Sequence, residues 1–354
     1  MRQAMFVGIV ATVTTTLATL LLAQDNRAPD VTAPPLVIGS SGGMTPIVGN
    51  LDEAAPFYAD LVGLANVPPI RKRSYRDVPY PEVLKNQGTP DATIRQINLN
   101  IPGSAWRVEV LEFSDIDSAA VDARIQDPGA VTLVIMVRDI EGLLARLTKR
   151  NSQIITPGAR PVLLTAGGAR ARAVVLKAPG GHFVELQQPD PLPVDSTAPT
   201  SSVIGGHIRV TVADTDATLR LYRDRLGFQS AVGAFTNESS RLQLMGTTGA
   251  RFRMTSTSVP GDSRQILEFI EFNNIDRRAV HSRIQDSGSA KIHLRVPDLS
   301  AALAAFEGAG GIVATTGGKP MIYTGVPTVI VRDLNNIFMN LQQQTQTRAA
   351  PADR

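Results

Sequence analysis

Short runs of alternating polar and apolar residues recur along the chain, a pattern that is typical of half-buried β-strands. In HIRVTV (207–212) and KIHLRV (291–296), every second residue is apolar. Amphipathic segments with a helical period lie between such runs, and each begins at a good N-cap: Asp214 precedes TLRLYRDRL and Asp298 precedes LSAALAAFEGAGG. Gly227 follows the first of these segments as a helix stop. The pattern predicts a strand, a helix and then further strands, in repeated cycles.

The two halves of the chain repeat one another. LEFSDID (111–117) recurs as IEFNNID (270–276), and AVDARIQDPG (120–129) recurs as AVHSRIQDSG (279–288), both at an offset of 159 residues. FVELQQ (183–188) matches FMNLQQ (338–343) at an offset of 155, and NLDEAAPFYADLVGL (50–64) matches DTDATLRLYRDRLGF (214–228) at an offset of 164. The chain is therefore a duplication, and each half shows the strand–helix–strands cycle twice. A single βαβββ unit cannot close a core, so we expect an α+β fold in which pairs of four such units form curved sheets with helices outside.

The composition of the chain divides it into six segments. Residues 1–23 have one charged arginine and then a long uncharged apolar run that ends at Ala23, which predicts a signal peptide and an exported protein, periplasmic or extracellular. An uncleaved anchor is the alternative, and the only membrane contact that we expect. Residues 24–37 form a Pro-rich tether, 38–188 the first domain, 189–202 a linker rich in Pro, Ser and Thr, 203–345 the second domain, and 346–354 a disordered tail.

Composition also excludes several functions. The 43% hydrophobic content supports globular cores. The absence of cysteine excludes disulfides, thiolate metal sites, cysteine nucleophiles and a lipid-anchored lipoprotein. The net charge is only +3, and the lysines and arginines are scattered among acidic residues, so nothing favours nucleic-acid binding. P-loop, Ser-His-Asp and dinucleotide fingerprints are also missing from the sequence.

Three strands carry candidate site residues on their polar faces. His207 and Arg209 share one face of HIRVTV, His293 and Arg295 share one face of KIHLRV, and Asn340 lies on the polar face of FMNLQQ. If these faces converge, the two imidazoles together with a carboxylate from another strand suit Fe, Mn, Zn or Ni. The two arginines can then pair with a substrate carboxylate. The alternative is that both histidines are ordinary strand residues satisfied by hydrogen bonds.

DTDATLRLYRDRLGF and KAPGGHFVELQQ (177–188) resemble the first helix and the closing hairpin of the vicinal oxygen chelate superfamily, which includes glyoxalase I, extradiol dioxygenases and bleomycin-resistance proteins. The resemblance covers about residues 38–188 and 205–343 and implies two glyoxalase-like domains. It also implies that metal ligands come from the first, fourth, fifth and last strands of a domain. In the second half these positions are His207, Glu268, His293 and Asn340, with Glu268 alternatively acting as the catalytic base. Asn340 stands where an extradiol dioxygenase has glutamate, and Glu271 replaces Glu268 if the strand register slips.

The first half lacks both histidines. Gly43 and Val134 occupy the equivalent positions, and only the carboxylates Glu109 and Glu185 remain. We therefore expect the first half to be structural or to hold an apolar ligand pocket, without a transition metal. The two other histidines, His182 in the GGH turn and His281 in a connecting segment, are expected at the surface.

The leading functional hypothesis is an exported, divalent-metal-dependent lyase, isomerase or dioxygenase that acts on a small oxygenated organic molecule. The alternative is a non-catalytic small-molecule-binding protein of the bleomycin-resistance type. The resemblance is strong for fold and weak for reaction, because this superfamily spreads one scaffold over many activities. The sequence leaves open whether the halves pair within one chain or between two copies, so a homodimer remains among the expected partners.

Overall fold

The computed structural model describes residues 35–39, 43–74, 81–166, 168–193, 200–323 and 325–344. The predicted signal segment (1–23), most of the tether and the tail (346–354) lie outside this part of the chain. None of the helices within the described ranges is long and apolar enough to cross a membrane.

The first half forms the elements that its hydrophobic pattern predicts, together with one short extra helix, α2. Asn50 and Asp139 cap the helices α1 and α3 by accepting hydrogen bonds from the backbone N–H groups three residues on. In chain order the elements are β1 (Gly43–Val48), α1 (Leu51–Leu61), β2 (Arg71–Ser74), α2 (Pro81–Asn86), β3 (Thr93–Asn100), β4 (Arg107–Ser114), β5 (Val131–Val137), α3 (Ile140–Leu147), β6 (Gln153–Ile154), β7 (Val162–Ala166), β8 (Ala169–Lys177) and β9 (Phe183–Asp190).

The second half repeats this order, and the predicted caps Asp214 and Asp298 begin the helices α4 and α6. An extra short helix, α5, lies where α2 lies in the first half. The elements are β10 (Val203–Thr211), α4 (Thr215–Tyr222), β11 (Gln229–Val232), α5 (Ser239–Met245), β12 (Arg251–Val259), β13 (Asp262–Asn273), β14 (Ala290–Val296), α6 (Leu299–Glu307), β15 (Ile312–Val313), β16 (Met321–Tyr323), β17 (Val326–Arg332) and β18 (Phe338–Gln343).

The strands form two nine-stranded mixed sheets, and each sheet takes one unit from each half of the chain. We number the units by their strands: β1–β4, β5–β9, β10–β13 and β14–β18. Sheet 1 joins the first and fourth units in the order β15-β17-β18-β14-β1-β4-β3-β2, with β16 on β17. Sheet 2 joins the third and second units in the order β11-β12-β13-β10-β5-β9-β8-β6, with β7 on β8. The α+β class and the two curved glyoxalase-like sheets are confirmed.

The sheets do not follow the predicted segments 38–188 and 203–345. At the centre of sheet 1, β1 runs antiparallel to β14 with Thr45 opposite Lys291. At the centre of sheet 2, β10 runs antiparallel to β5 with His207 opposite Val134. The physical reason is that alternation fixes which side chains share a face of a strand, but it does not fix which other strand completes the ladder.

The segments that connect the units cross one another, which explains the repeated RIQD motif. Arg124 pairs with Asp127 three residues on (2.7 Å) and reaches Asp276 in the other connecting segment (2.8 Å). Ala120 and Ser287 form a parallel β-bridge between the two segments. The second copy of the motif makes the mirrored contacts, with Arg283, Asp286 and Asp117. The connecting segments therefore bind the two halves of the chain together.

The largest core packs the long helices against the two sheets, and its two buried tyrosines differ in their partners. The hydroxyl of Tyr222 donates to Oδ2 of Asp333 at 2.8 Å, and burial raises the pKa of both groups. Tyr58, at the equivalent position of α1, has no hydrogen-bond partner for its hydroxyl among the described residues. These two sites form a natural pair of variants for testing stability.

His182 is buried, so the prediction of a surface position is wrong. Only 3% of the residue is exposed, and its Nε2 lies 2.7 Å from the carbonyl oxygen of Ser289. Burial lowers the pKa of His182 to about 4. The cause is the pairing of the units, which brings the turn before β9 against the residue that precedes β14. His281 is exposed, as predicted.

Candidate functional site

The structure does not bring the four predicted metal ligands together. His207 on β10 and Glu268 on β13 lie in sheet 2, whereas His293 on β14 and Asn340 on β18 lie in sheet 1. The predicted single cluster is wrong because the third and fourth units, which were expected to share a sheet, each pair with a unit from the first half. Each sheet therefore has its own polar centre.

The centre of sheet 2 is a buried cluster of opposite charges. Nε2 of His207 lies 3.0 Å from Oε2 of Glu268, although this contact lacks the direction of a good hydrogen bond. Nε of Arg209 donates to the same oxygen at 2.9 Å. Burial raises the pKa of Glu268, but His207 and Arg209 outweigh it and hold the pKa well below its ordinary value. Glu268 is therefore a poor candidate for the predicted catalytic base.

Two arginines fill the space beside this cluster. Arg209 also donates to Glu185 on β9, and Arg241 on α5 donates to the other oxygen of Glu185 at 3.1 Å. All of these residues are buried, and the charges of two guanidinium groups balance those of two carboxylates. Arg209 is thus held in buried ion pairs with two carboxylates, which contradicts its predicted role in binding a substrate. Arg295, the other predicted substrate-binding residue, is exposed and does not line a described cavity.

Sheet 1 instead holds an open cavity of about 530 Å³ on its concave face. The floor comes from β1, β3, β4 and β14, and one wall comes from the short helix α2. Most of the lining is polar, in contrast to the apolar pocket expected for the first half. The residues that matter for its chemistry are Thr45, Arg71, Arg73, Asn86, Gln87, Gln96, Arg107, Glu109, Lys291, His293 and Asn340.

A chain of hydrogen bonds crosses the floor of this cavity. Asn340 Nδ2 lies 3.1 Å from His293 Nδ1, and His293 Nε2 lies 2.9 Å from Thr45 Oγ1. Thr45 donates to Oε2 of Glu109 at 3.0 Å, and Gln96 donates to Oε1 at 2.8 Å. The amide orientation of Asn340 assigns the proton of a neutral His293 to Nε2. Asn340 therefore contacts the ring nitrogen that faces away from Glu109, and it orients His293 where it was expected to be a fourth ligand.

The charges around the floor set the protonation states of its two titratable groups. Burial, helped by Lys291, lowers the pKa of His293 to about 4, so the imidazole is neutral at pH 7. Burial raises the pKa of Glu109, but the charge of Lys291, the hydrogen bond from Thr45 and the charge of Arg73 outweigh it, so the pKa lies below its ordinary value and the carboxylate is ionised. Lys291 itself has a pKa lowered by burial, which the charge of Glu109 partly offsets. An ionised carboxylate and a neutral imidazole thus face the same space.

Three exchanges between equivalent positions explain why sheet 1 is open and sheet 2 is filled. LKNQGT (84–89), which begins in α2, aligns with LQLMGT (242–247), which begins in α5, and this alignment puts Val83 at the position of Arg241. In every pair the residue beside the sheet 1 cavity is smaller than its equivalent beside sheet 2. The pairs are Gly43 and His207, Thr45 and Arg209 on the first strands, and Val83 and Arg241 on the short helices. At Gly43 (φ +145°) a Cβ would lie 2.0 Å from the carbonyl oxygen of Arg107, so the backbone itself requires glycine.

The residues of the sheet 1 floor meet only part of the requirement for a divalent metal. Oε2 of Glu109 and Nε2 of His293 are 3.7 Å apart, and Thr45 Oγ1 lies within 3.0 Å of each. Bonds of about 2.0–2.2 Å put neighbouring ligands of one ion at separations of about 3 to 3.5 Å. The third donor is a neutral hydroxyl, however, and no group of three His, Cys, Asp or Glu side chains is suited to metal binding in the described ranges. The spacing is thus close to that of metal ligands, whereas the donor set is weak.

Sequence reasoning identified His293 and Asn340 but missed Thr45 and Lys291. Both lie on cavity-facing positions that alternation marks: Thr45 is two residues from Gly43, and Lys291 is two residues from His293. Glu109 was considered only as one of two carboxylates that remain in the first half. The prediction that the first half is structural or holds an apolar pocket is wrong, because its strands β1, β3 and β4 contribute polar residues to the cavity floor.

Comparison with known proteins supports the fold alone. No family model matches the chain, and no curated protein matches it by sequence. Glyoxalase I from Zea mays superposes with a TM-score of 0.53 at 15% identity, over 86% of this chain and 92% of that one. A mutant of the same enzyme, in another crystal structure, gives a TM-score of 0.53 at 14% identity, over 86% and 94%. The chain therefore shares the fold of glyoxalase I from Zea mays.

Proposed function

We propose that the cavity of sheet 1 is the functional site of this protein and that it binds a small oxygenated organic molecule. The observation that carries the proposal is the contrast between two equivalent faces. The concave face of sheet 2 is filled by Arg209 and Arg241, whereas that of sheet 1 is open above Glu109 and His293. Convergent polar groups at the floor of one open cavity are the usual mark of a small-molecule site.

The floor of the cavity supplies matched acceptors and donors to an oxygenated ligand. Glu109 is ionised and fixed by Thr45 and Gln96, so it can accept a hydrogen bond from a hydroxyl or amide group of the ligand. His293 is neutral and is fixed by Asn340. A ligand that displaces the hydroxyl of Thr45 from Nε2 of His293 takes over that hydrogen bond. The chain itself therefore binds and orients the ligand and holds one charged hydrogen-bond acceptor against it.

A divalent-metal-dependent lyase, isomerase or dioxygenase is the second candidate, and the spacing of Thr45, Glu109 and His293 favours it. Glu109 and His293 would hold the ion, and a bound Fe, Mn, Zn or Ni would polarise an oxygen of the ligand. His207 and Glu268, which were predicted as ligands, are not part of this candidate. Arg209 already provides the positive charge beside them.

Metal content separates the two candidates. The purified chain is refolded with Fe, Mn, Zn and Ni in turn, dialysed, and measured by mass spectrometry beside His293→Ala and His207→Ala. We expect less than stoichiometric metal in all three proteins, since only two strong ligands are present. Stoichiometric metal that is lost in His293→Ala but kept in His207→Ala would establish the metal-dependent candidate. If metal binds, oxygen consumption with catechols then separates an oxygenase from a lyase or isomerase.

Ligand binding tests the proposal itself. Thermal unfolding is recorded with catechols, 2-hydroxy acids, 2-oxo acids and neutral amides, because a ligand of the native state raises the melting temperature. We expect at least one class to stabilise the wild type, and Glu109→Gln to lose most of that effect. Glu141→Gln, at an exposed position of α3, is the control. Failure of every class to stabilise the wild type would contradict a small-molecule site.

Export belongs to the same proposal, and its support is the sequence of residues 1–23 alone. Expression of the full chain in a bacterial host, followed by fractionation and N-terminal sequencing, tests it. We expect a mature protein that begins after Ala23 outside the cytoplasm. Recovery of an intact N-terminus from the cytoplasm would contradict export.

A further inference from the structure

Lys291 is a buried cation whose only described partner is neutral. It lies on β14 in the wall of the sheet 1 cavity and is 4% exposed. Its Nζ donates to Oε1 of Gln87, which follows α2, at 2.9 Å. Among the described residues, no carboxylate oxygen lies within the 4.0 Å of an ion pair with this Nζ. An ammonium group withdrawn from water without a counter-charge is costly, so such groups normally have an anionic partner.

The surroundings of Lys291 also carry an excess of positive charge. Arg71, Arg73 and Arg107 line the same cavity, and Glu109 is its only acidic lining residue among those described. Both oxygens of Glu109 already accept hydrogen bonds, from Thr45 and Gln96. The described lining of the cavity thus carries four cationic side chains and one carboxylate that is already engaged.

The second sheet shows that this lysine is not a requirement of the fold. Thr132 occupies the position of sheet 2 that is equivalent to Lys291, since it lies two residues before Val134 as Lys291 lies two residues before His293. Thr132 is buried in the sheet whose concave face is filled. At this pair of equivalent positions, the buried lysine therefore belongs to the sheet with the open cavity, and the neutral threonine to the sheet whose buried arginines already have carboxylate partners.

We propose that Lys291, with Gln87 beside it, binds an oxyanion of the ligand, a carboxylate or a phosphate group. This inference rests on the proposed function of the cavity and narrows it to anionic ligands. A charge-assisted hydrogen bond from a buried ammonium group is strong and selects against neutral analogues of the same shape. The oxyanion supplies a counter-charge in direct contact with Lys291, whereas Glu109 acts on this ammonium group only from beyond ion-pair distance. Glu109 and His293 then lie where the rest of the ligand extends along the cavity floor.

Titration calorimetry and thermal unfolding with matched probes test the inference. The probes are lactate, pyruvate and inorganic phosphate, with lactamide as the neutral analogue of lactate. The variants are Lys291→Met and Gln87→Leu. Lys177→Met is the control, because Lys177 lies in a separate surface groove and is only partly exposed.

We expect an anion to bind the wild type, Lys291→Met to weaken that binding by about tenfold or more, and Gln87→Leu to weaken it less. Lys177→Met should bind as the wild type does. Circular dichroism and unaltered cooperative unfolding establish that Lys291→Met is folded. Tighter binding of lactate or of phosphate identifies the oxyanion.

Two results would overturn the inference while leaving the proposed function intact. Lactamide binding as tightly as lactate is the first, and undiminished anion binding by Lys291→Met is the second. Absence of binding by every probe, with neutral amides and catechols included, would overturn both the inference and the proposed function.

Discussion

The buried charge cluster of sheet 2 allows a quantitative prediction. Arg209 balances two carboxylates, Glu185 and Glu268, in a site where all three side chains are at most 9% exposed. Arg209→Met removes one positive charge and leaves a net negative charge among groups that water does not reach. Breaking a buried ion pair by removing one partner costs about 3–5 kcal/mol. We expect a loss of stability of that size in urea unfolding.

A compensating change should recover much of this loss. In the double variant Arg209→Met/Glu268→Gln, the remaining charges of Arg241 and Glu185 balance one another again. We expect the double variant to lose about 1–2 kcal/mol relative to the wild type, less than Arg209→Met alone, because the two substitutions are strongly coupled. Urea unfolding of the wild type, both single variants and the double variant forms the complete cycle. The slopes of the transitions must agree if the midpoints are to be compared.

An exposed ion pair provides the control. Arg170 and Asp190 are 3.6 Å apart and more than half exposed, so Arg170→Met should change stability by less than about 1 kcal/mol. A loss of less than about 1 kcal/mol in Arg209→Met would refute the view that this arginine balances buried carboxylates. Strict additivity of the two substitutions in the double variant would refute the coupling.

Three further predictions concern the fold. Tyr222→Phe should cost about 1.5–3 kcal/mol in urea unfolding, because it removes a buried hydrogen bond to a carboxyl group, whereas Tyr58→Phe should change stability by less than about 0.5 kcal/mol. His182 has a pKa of about 4 in the folded protein and of about 6.5 when unfolded. The contribution of the neutral histidine to stability is therefore complete above pH 6.5 and is lost as the pH falls toward 4. His182→Leu should remove about 2 kcal/mol of the acid-induced loss between pH 7 and 4.5. Cysteines introduced at Ala120 and Ser287, in a chain that has none, should form an intramolecular disulfide that raises the melting temperature.

Each of these three predictions has a result that would contradict it. Equal losses in the two tyrosine variants would contradict the assigned hydrogen bond. Stability curves of the wild type and His182→Leu that stay parallel down to pH 4.5 would show that this histidine is not responsible for acid sensitivity. Failure of the two cysteines to cross-link in the folded protein, or a cross-link only between chains, would contradict the crossing of the connecting segments.

Most of the fold followed from local pattern, because strands, caps and repeats are determined by neighbouring residues. Alternation placed His293 and Asn340 on the cavity face, and Asp214 and Asp298 began the helices that they were expected to cap. The short helices α2 and α5 were missed. Each has fewer than eight residues, about two turns or less, which is shorter than the window of about 11–18 residues over which a helical period can be recognised in a sequence.

The site itself could not be located, because its position depends on which units share a sheet. His207 and His293 are at equivalent positions of successive units, which suggested one common metal site. The pairing of β1 with β14 and of β10 with β5 separated them. Single residues then decided that the site contains Glu109 and not Glu268. Thr45 leaves room above Glu109, whereas Arg209 occupies the equivalent room above Glu268.

In the proposal made above, the ligand binds to the open face of sheet 1, and Arg209 closes the equivalent face of sheet 2. The most direct test copies the closed arrangement into the open one with Thr45→Arg, which should pair with Glu109 as Arg209 pairs with Glu268. Calorimetric titration with the tightest binder among lactate, pyruvate, phosphate, catechol and lactamide gives the stoichiometry. We predict one molecule per chain for the wild type and none for a folded Thr45→Arg. Two molecules per chain, or unchanged binding in Thr45→Arg, would contradict the account.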